Sequence, residues 1–287
     1  MMRLKAPTRD FASTLDECIE GVTGNKIFKA KMQAAKSALV LAGTAYSDAG
    51  AIGELYCIAP IDTTADKDPI VIGDLHKSEL VNLYQYYFVN EEKASRAIYD
   101  KLLNSAEEDC PFCGGIGRPR NLDHFLPKAH FPQFSTLPQN LIPSCRDCNM
   151  DGKAQGFATQ AADQLIQPYV DNERFFTHQW IFAKCVLNAN DLPTSIYYYV
   201  NPPREWDKVN KARVQKHFLD FGLEKRYAIE SARLLPTTLE QIANLRIAGL
   251  SSHAIANCIL TPGINKAPFI NHWMKGMYQA LHDYVQA

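Results

Sequence analysis

The sequence predicts an α+β protein that is mostly helical, with a small central module of different character set between two helical regions. Three observations predict it. Apolar residues recur at helical spacing on both sides of the middle of the chain. Between Cys110 and Phe157 that period is lost, and Pro, Gly, Cys and Asn accumulate. Four of the 8 cysteines fall in that interval as two C-x-x-C pairs. With 287 residues, 46% of them apolar, the chain can bury a substantial core as one large domain or a few small ones. The composition divides it into a helical region over 1–105, a module over 106–160, and a mainly helical region over 161–287.

The elements follow in order. Residues Ile27 to Tyr46 read as a helix, whereas Ile58 to Ile72, with its prolines, threonines and aspartates, reads as a loop with a short strand. Leu80, Leu83, Tyr84, Tyr87 and Phe88 fall at i, i+3, i+4, i+7 and i+8, and Ala94, Ala97, Ile98 and Leu102 repeat the pattern. Asn90, followed by Glu91 and Glu92, reads as the cap of that second helix. Beyond the module, Trp180 to Leu187 and Ser195 to Val200 read as strands. Segments 207–220, 223–235 and 238–250 read as separate helices. Ile270, Trp273, Met274, Met277, Leu281 and Tyr284 outline an amphipathic C-terminal helix. No internal repeat is visible.

Lys+Arg 30 against Asp+Glu 31 gives a net charge of −1, which excludes global polycation binding and leaves only a local basic site for nucleic acid. Gly 15, Pro 16 and 21% charged residues exclude a collagenous or wholly disordered chain. The apolar run from Ala38 to Tyr46 is far shorter than the roughly 20 residues of a membrane span. The first fifteen residues carry no apolar core of a secretory signal, so a cytoplasmic location is expected.

In a reducing compartment, paired cysteines favour a metal over disulfides. Cys110 and Cys113 lie in CPFC, Cys145 and Cys148 in CRDC, with 31 residues between the pairs. Each pair can place two thiolates on one Zn²⁺ at about 2.3 Å, and four protein ligands leave no open position for water, so the zinc reads as structural. Gly114 and Gly115 allow the tight turn after the first pair. A redox C-x-x-C is the alternative; the second pair nearby and the absence of a βαβ context weigh against it.

Between the knuckles lies LDHFLPK, from Leu122 to Lys128, then QNLIPSCRDCN, from Gln139 to Asn149, then Lys153. In order and spacing these residues resemble the HNH nuclease family over about 50 residues. The resemblance implies a ββα-metal fold with an Asp-His pair on the first strand, an Asn in the intervening loop and an Asn or His on the following helix. It implies Asn140 as the residue that holds the loop and orients His124. The residues themselves make a coherent hydrolytic set. Asp123 and Asn149 offer the hard oxygen ligands that suit Mg²⁺ or Mn²⁺. His124 is the general base, and with an imidazole of ordinary pKa its action is expected to decline below about pH 6. Lys153, one turn beyond Asn149, is placed to contact a phosphate; many relatives have this lysine one residue earlier. His130 has no assigned role.

Lys208, Lys211 and Lys216 offer a nucleic-acid path, with a solvated helical face as the commoner reading, and Trp180, Trp206 and Tyr197 to Tyr199 read as core. A looser resemblance, carried by IYDKLL from Ile98 to Leu103, DHFLPK from Asp123 to Lys128 and QPYVD from Gln167 to Asp171, is to stand-alone HNH subunits of bacterial anti-phage systems of the Septu and retron-associated type. It implies an ATPase partner subunit. The expected function is metal-dependent cleavage of DNA; an RNA-cleaving toxin effector and a non-catalytic zinc module for nucleic acid are the alternatives.

Overall fold

The computed structural model describes residues 1–153 and 156–287. The chain sorts into two compact units, one of Arg3–Pro111 and Gly117–Asn172, the other of Met1–Met2, Phe112–Ile116 and Glu173–Ala287. The protein is mixed α and β and mostly helical, and among the described residues its strands form three separate two-stranded antiparallel ribbons. Among the described residues no helix is long and apolar enough to cross a membrane.

In the first unit, α1 (Phe11–Glu20) begins where the Asp10 carboxylate accepts from the Ser13 amide, and α2 (Lys26–Ile52) where Asn25 does the same for Phe28. The buried residues of α2, Phe28, Met32, Ala35, Leu39, Gly43, Tyr46 and Gly50, follow one stripe at steps of three and four. The loop expected after it is present and ends in the short ribbon of β1 (Ile70–Ile72) and β2 (Leu75–His76). Next, α3 (Lys77–Asn82) runs into a wider helical turn, Leu83–Phe88, burying Leu80, Leu83, Tyr84 and Phe88 as the spacing predicts. Asn90 does cap backbone, but of a turn: its side chain accepts from the Glu92 amide at 2.9 Å, and α4 (Arg96–Asn104) starts only at Arg96. The strands β3 (Asn121–His124) and β4 (Leu141–Ser144) pair antiparallel, with Asp123 opposite Ile142 and His124 opposite Leu141. A helical turn, Cys148–Lys153, follows them.

The second unit is built on a ribbon of β5 (Ile181–Leu187) and β6 (Pro193–Val200) after the short α5 (Arg174–Thr177). Behind it come α6 (Lys208–Asp220) and α7 (Leu223–Ile247), the short α8 (Ser252–Ile255) and α9 (Thr261–Asn265), and the expected C-terminal helix α10 (Trp273–Gln286). The two helices expected over 223–235 and 238–250 are one. Pro236 removes a backbone donor, at about 3 kcal/mol in a helix interior. The helix continues because Leu235, Thr238 and Ile242 extend the buried stripe of Leu223, Tyr227 and Ser231 without a change of phase. Helix α10 lies close under the ribbon at Gly276, where an added Cβ would come within 3.0 Å of the Tyr198 ring.

A single amide side chain ties this unit's chain ends together. Asn271 is 1% exposed, and its Oδ1 accepts from the amides of Trp180 (2.7 Å) and Ile181 (3.0 Å). Its Nδ2 donates to the carbonyls of His178 (3.0 Å) and Phe175 (3.4 Å). Its four hydrogen-bonding positions are thus all used. Asn271→Ala would strand these buried groups at about 1–3 kcal/mol each. The expected loss of unfolding free energy in urea is about 3 kcal/mol or more, against a change within about 0.5 kcal/mol for the exposed Asn190→Ala. Equal stability of the two variants would contradict the role assigned to Asn271.

Candidate functional site

Three of the four residues of β3 are buried, so Asp123 and His124 are held away from bulk solvent at 5% and 6% exposure. Both line a pocket of about 620 Å³ that also takes in Lys77, Tyr84, Lys128, Asn149 and Lys153. The residues expected to act together are therefore brought together, save Asn140, which stands behind them. Asn140 is fully buried, accepts from the Leu126 amide (2.7 Å), and donates to the carbonyls of Leu126 (3.0 Å) and Phe134 (3.1 Å). These bonds fix the loop that follows β3 and carries Lys128. His130 is not among the pocket's lining; its ring packs on Phe157 with centroids 4.9 Å apart.

The His124 imidazole is oriented from both sides. Its Nε2 lies 2.9 Å from the Ser135 carbonyl, which can only accept, so Nε2 carries the hydrogen and Nδ1 the lone pair. Ser135 is anchored in turn, its hydroxyl donating to the Leu80 carbonyl at 2.8 Å. The Tyr84 ring meets the imidazole edge-on, centroids 4.5 Å apart. Burial first, and the Lys128 charge second, push the His124 pKa down to about 3. The expectation of an ordinary imidazole titrating near 6 is therefore corrected: the ring is neutral throughout the physiological range, because a cation on a buried ring beside other lysine charges is disfavoured.

Asp123 behaves in the opposite sense. Burial raises its carboxyl to about 6, although the Lys153 ammonium, 3.5 Å from Oδ1, opposes the rise. The second oxygen, Oδ2, is buried with no hydrogen-bond partner. An orphaned carboxylate oxygen beside an amide-bearing Asn149 is the donor chemistry of a hard divalent cation, so these residues fit Mg²⁺ or Mn²⁺. Lys153 is 6% exposed and donates to the His124 carbonyl at 2.6 Å, so its ammonium faces the protein as much as the pocket. Three ammonium groups against one carboxylate make the lining net positive.

Two contributors were not singled out from the sequence. Lys77 and Tyr84 come from α3 and the turn that follows it, some forty residues before Asp123, and no local motif connects them to it. The QPYVD segment has a structural role: Gln167 is fully buried and donates to Tyr46 Oη (3.3 Å) and to the carbonyl of Gln139 (2.5 Å), next to Asn140.

Cys110, Cys113, Cys145 and Cys148 are all buried, and their sulfurs lie within 4.8 Å of one another. Four sulfurs at about 2.3 Å around a tetrahedral ion would fit within that spread, so the set suits zinc. Gly114 and Gly115 take left-handed φ values of 65° and 84° as expected. At Gly114 a Cβ would also come within 2.7 Å of the Phe269 ring.

Four buried cysteines close enough to hold one metal ion, on a mostly helical mixed fold, define a class of protein rather than a particular one. No family model matches the chain, and no solved structure matches it. The chain is 36% identical over 302 aligned positions to Protein ea31 of Escherichia phage lambda, an alignment covering 98% of this chain and 97% of that protein. It belongs to the family of that phage protein.

Two outcomes are expected. Purified protein should carry one tightly held zinc per chain, and Cys113→Ser should lose it together with the folded state of the central segment, as read by elemental analysis and proteolysis. Well-folded protein without zinc would remove the assignment. Second, the His124 ring, followed by ¹⁵N-detected NMR, should stay neutral and Nε2-protonated from pH 7.5 to pH 5. Asp123, by contrast, should gain its proton as the pH falls through about 6. An imidazole that titrates near 6.5 would contradict the pocket electrostatics described.

Proposed function

We propose that the protein is a metal-dependent endonuclease of the HNH type, hydrolysing phosphodiester bonds in DNA. The observation that carries the proposal is the meeting, in one positively charged pocket, of a neutral imidazole with a fixed tautomer, a buried carboxylate with an orphaned oxygen, and Asn149. An antiparallel ribbon set between two cysteine pairs and followed by a helical turn is also the arrangement that the family resemblance implies.

A Mg²⁺ or Mn²⁺ ion held by Asp123 and Asn149 would supply positive charge to the non-bridging and leaving oxygens of the phosphate. The remaining work belongs to the chain. Lys77 and Lys128 give the entering phosphodiester its electrostatic seat. His124 takes the proton of the attacking water at Nδ1, while the Ser135 carbonyl keeps the ring from rotating. An imidazole with a pKa of about 3 is a weak base. An anion seated among the lysines offsets the Lys128 charge that contributes to this low value, so substrate binding itself raises the basicity of His124. Lys153 neutralises Asp123 in the resting protein and steadies β3 through the His124 carbonyl.

The acid limb of the rate profile then belongs to Asp123. As its carboxyl is protonated below about pH 6 it loses the charge that attracts the cation, and cleavage is expected to fall over that range while added Mn²⁺ moves the fall to lower pH. The decisive comparison uses plasmid DNA, linear DNA and tRNA in Mg²⁺ or Mn²⁺. The wild type should cut DNA, and His124→Ala should retain zinc content and melting temperature while cleavage drops by roughly 10²- to 10⁴-fold. Wild-type rates in His124→Ala would dismiss the base; cleavage of tRNA alone would move the substrate to RNA.

A further inference from the structure

The ribbon of the second unit has two unlike faces. Along β6, Ile196 and Tyr198 are buried, the Tyr198 hydroxyl donating to the Trp273 carbonyl at 2.8 Å and its ring meeting Tyr227 edge-on. Along β5, Cys185 reaches the Ala280 carbonyl on the same side. This inner face rests on α7 and α10. The period of two then sends Phe182, Lys184, Val186, Ser195, Tyr197 and Tyr199 to the other side, where the register pairs Phe182 with Tyr199, Lys184 with Tyr197, and Val186 with Ser195.

That outer face is a row of flat rings with one cation and no carboxylate. Tyr197 and Tyr199 lie 6.2 Å apart with planes only 13° from parallel, Phe182 and Tyr199 lie 6.3 Å apart at 29°, and Lys184 Nζ stands 5.3 Å from the Tyr197 ring centre. Tyr197 is 38% exposed and Val186 41%. The expectation that Tyr197 to Tyr199 are all core thus holds for Tyr198 and fails for Tyr197, because alternate residues of a strand face opposite ways. Trp180 and Trp206 are buried as expected, and two of the lysines expected on a basic path are engaged locally, Lys211 with the Arg204 carbonyl and Lys216 with Asp220.

A contiguous apolar patch on a surface marks an interaction site, where scattered single residues do not. Rings of this kind offer π-faces that accept any base, and an adjacent lysine supplies the charge that a phosphate backbone seeks. Aliphatic docking surfaces need neither parallel rings nor a cation. We infer that the outer face of the β5–β6 ribbon binds single-stranded nucleic acid by stacking bases on Phe182, Tyr197 and Tyr199, with Lys184 beside the backbone. The surface lies on residues apart from the pocket of Asp123 and His124, and its binding is independent of cleavage there.

The test uses 5′-fluorescein-labelled (dT)₁₂ and U₁₂ in fluorescence anisotropy without added divalent cation, so that cleavage does not intervene. The wild type should bind both. Tyr197→Leu, which keeps the apolar character but removes the flat ring, should weaken binding by roughly 5- to 150-fold, and Tyr197→Phe should stay near wild type. Lys184→Gln should reduce the slope of log K against log salt by about one contact. Cleavage of plasmid DNA in Mg²⁺ is read separately, and Tyr197→Leu that loses binding here while keeping cleavage, or the reverse, separates failure of this surface from failure of the nuclease reading. No binding by the wild type, or equal binding by Tyr197→Leu at an unchanged melting temperature, would overturn the inference. So would a dimer that Tyr197→Leu dissociates in sedimentation without affecting oligonucleotide binding, since the face would then belong to a second copy of the chain.

Discussion

Four cysteine sulfurs gathered within 4.8 Å set the terms for the stretch of chain between them. From Cys110 to Cys148 the regular structure is two four-residue strands and short helical turns, around buried apolar side chains that include Leu122, Phe125, Leu126, Phe131, Leu141 and Ile142. So few regular hydrogen bonds do not hold a loop-rich segment against its conformational entropy. Four buried thiols drawn to one point supply the missing constraint when they share a cation, because metal binding then becomes folding free energy. With an ion bound, the strands and loops between the two pairs would be held at both ends by that closure.

Within it, polar side chains add to the apolar packing. Asn140 satisfies three backbone groups of the loop after β3, and Gln167 reaches the carbonyl beside it from a distant segment. The Ser135 carbonyl selects the tautomer of His124, and Ser135 depends in turn on the end of α3. These bonds lie in a poorly hydrated interior, where a satisfied group is held firmly and an unsatisfied one is costly. Oδ2 of Asp123 is left unsatisfied there, and it alone of such oxygens belongs to a carboxylate.

Burial also explains why the two neighbouring residues on β3 shift in opposite directions. Loss of water disfavours whichever form carries charge, so the carboxyl of Asp123 rises toward 6 and the imidazole of His124 falls toward 3. The lysines add to the second effect and oppose the first. At neutral pH the pair consists of a largely ionised carboxylate and a neutral ring, the combination that a cation and a proton acceptor respectively require. The excess of positive charge around them then makes the pocket a place for an anion.

The periods and the motif determined a good deal. Helical spacing located α3, α4 and α10, segments read as a helix and as strands located α2, β5 and β6, and the C-x-x-C pairs located the cysteine cluster, because each depends on residues close together in the chain. The tertiary structure decided what depends on distant neighbours. Pro236 interrupts helix propensity locally, yet the buried stripe on either side carries α7 through it. Tyr197 and Tyr198 are indistinguishable as residue types, and only the packing of α7 and α10 against one face tells which is covered. An ordinary pKa was the natural assumption for His124, since nothing beside it in sequence reveals its burial; Lys77 and Tyr84 join the pocket from some forty residues away for the same reason. Sequence thus fixed which chemistry was available, and burial, which is a property of the whole fold, decided the charge each group carries.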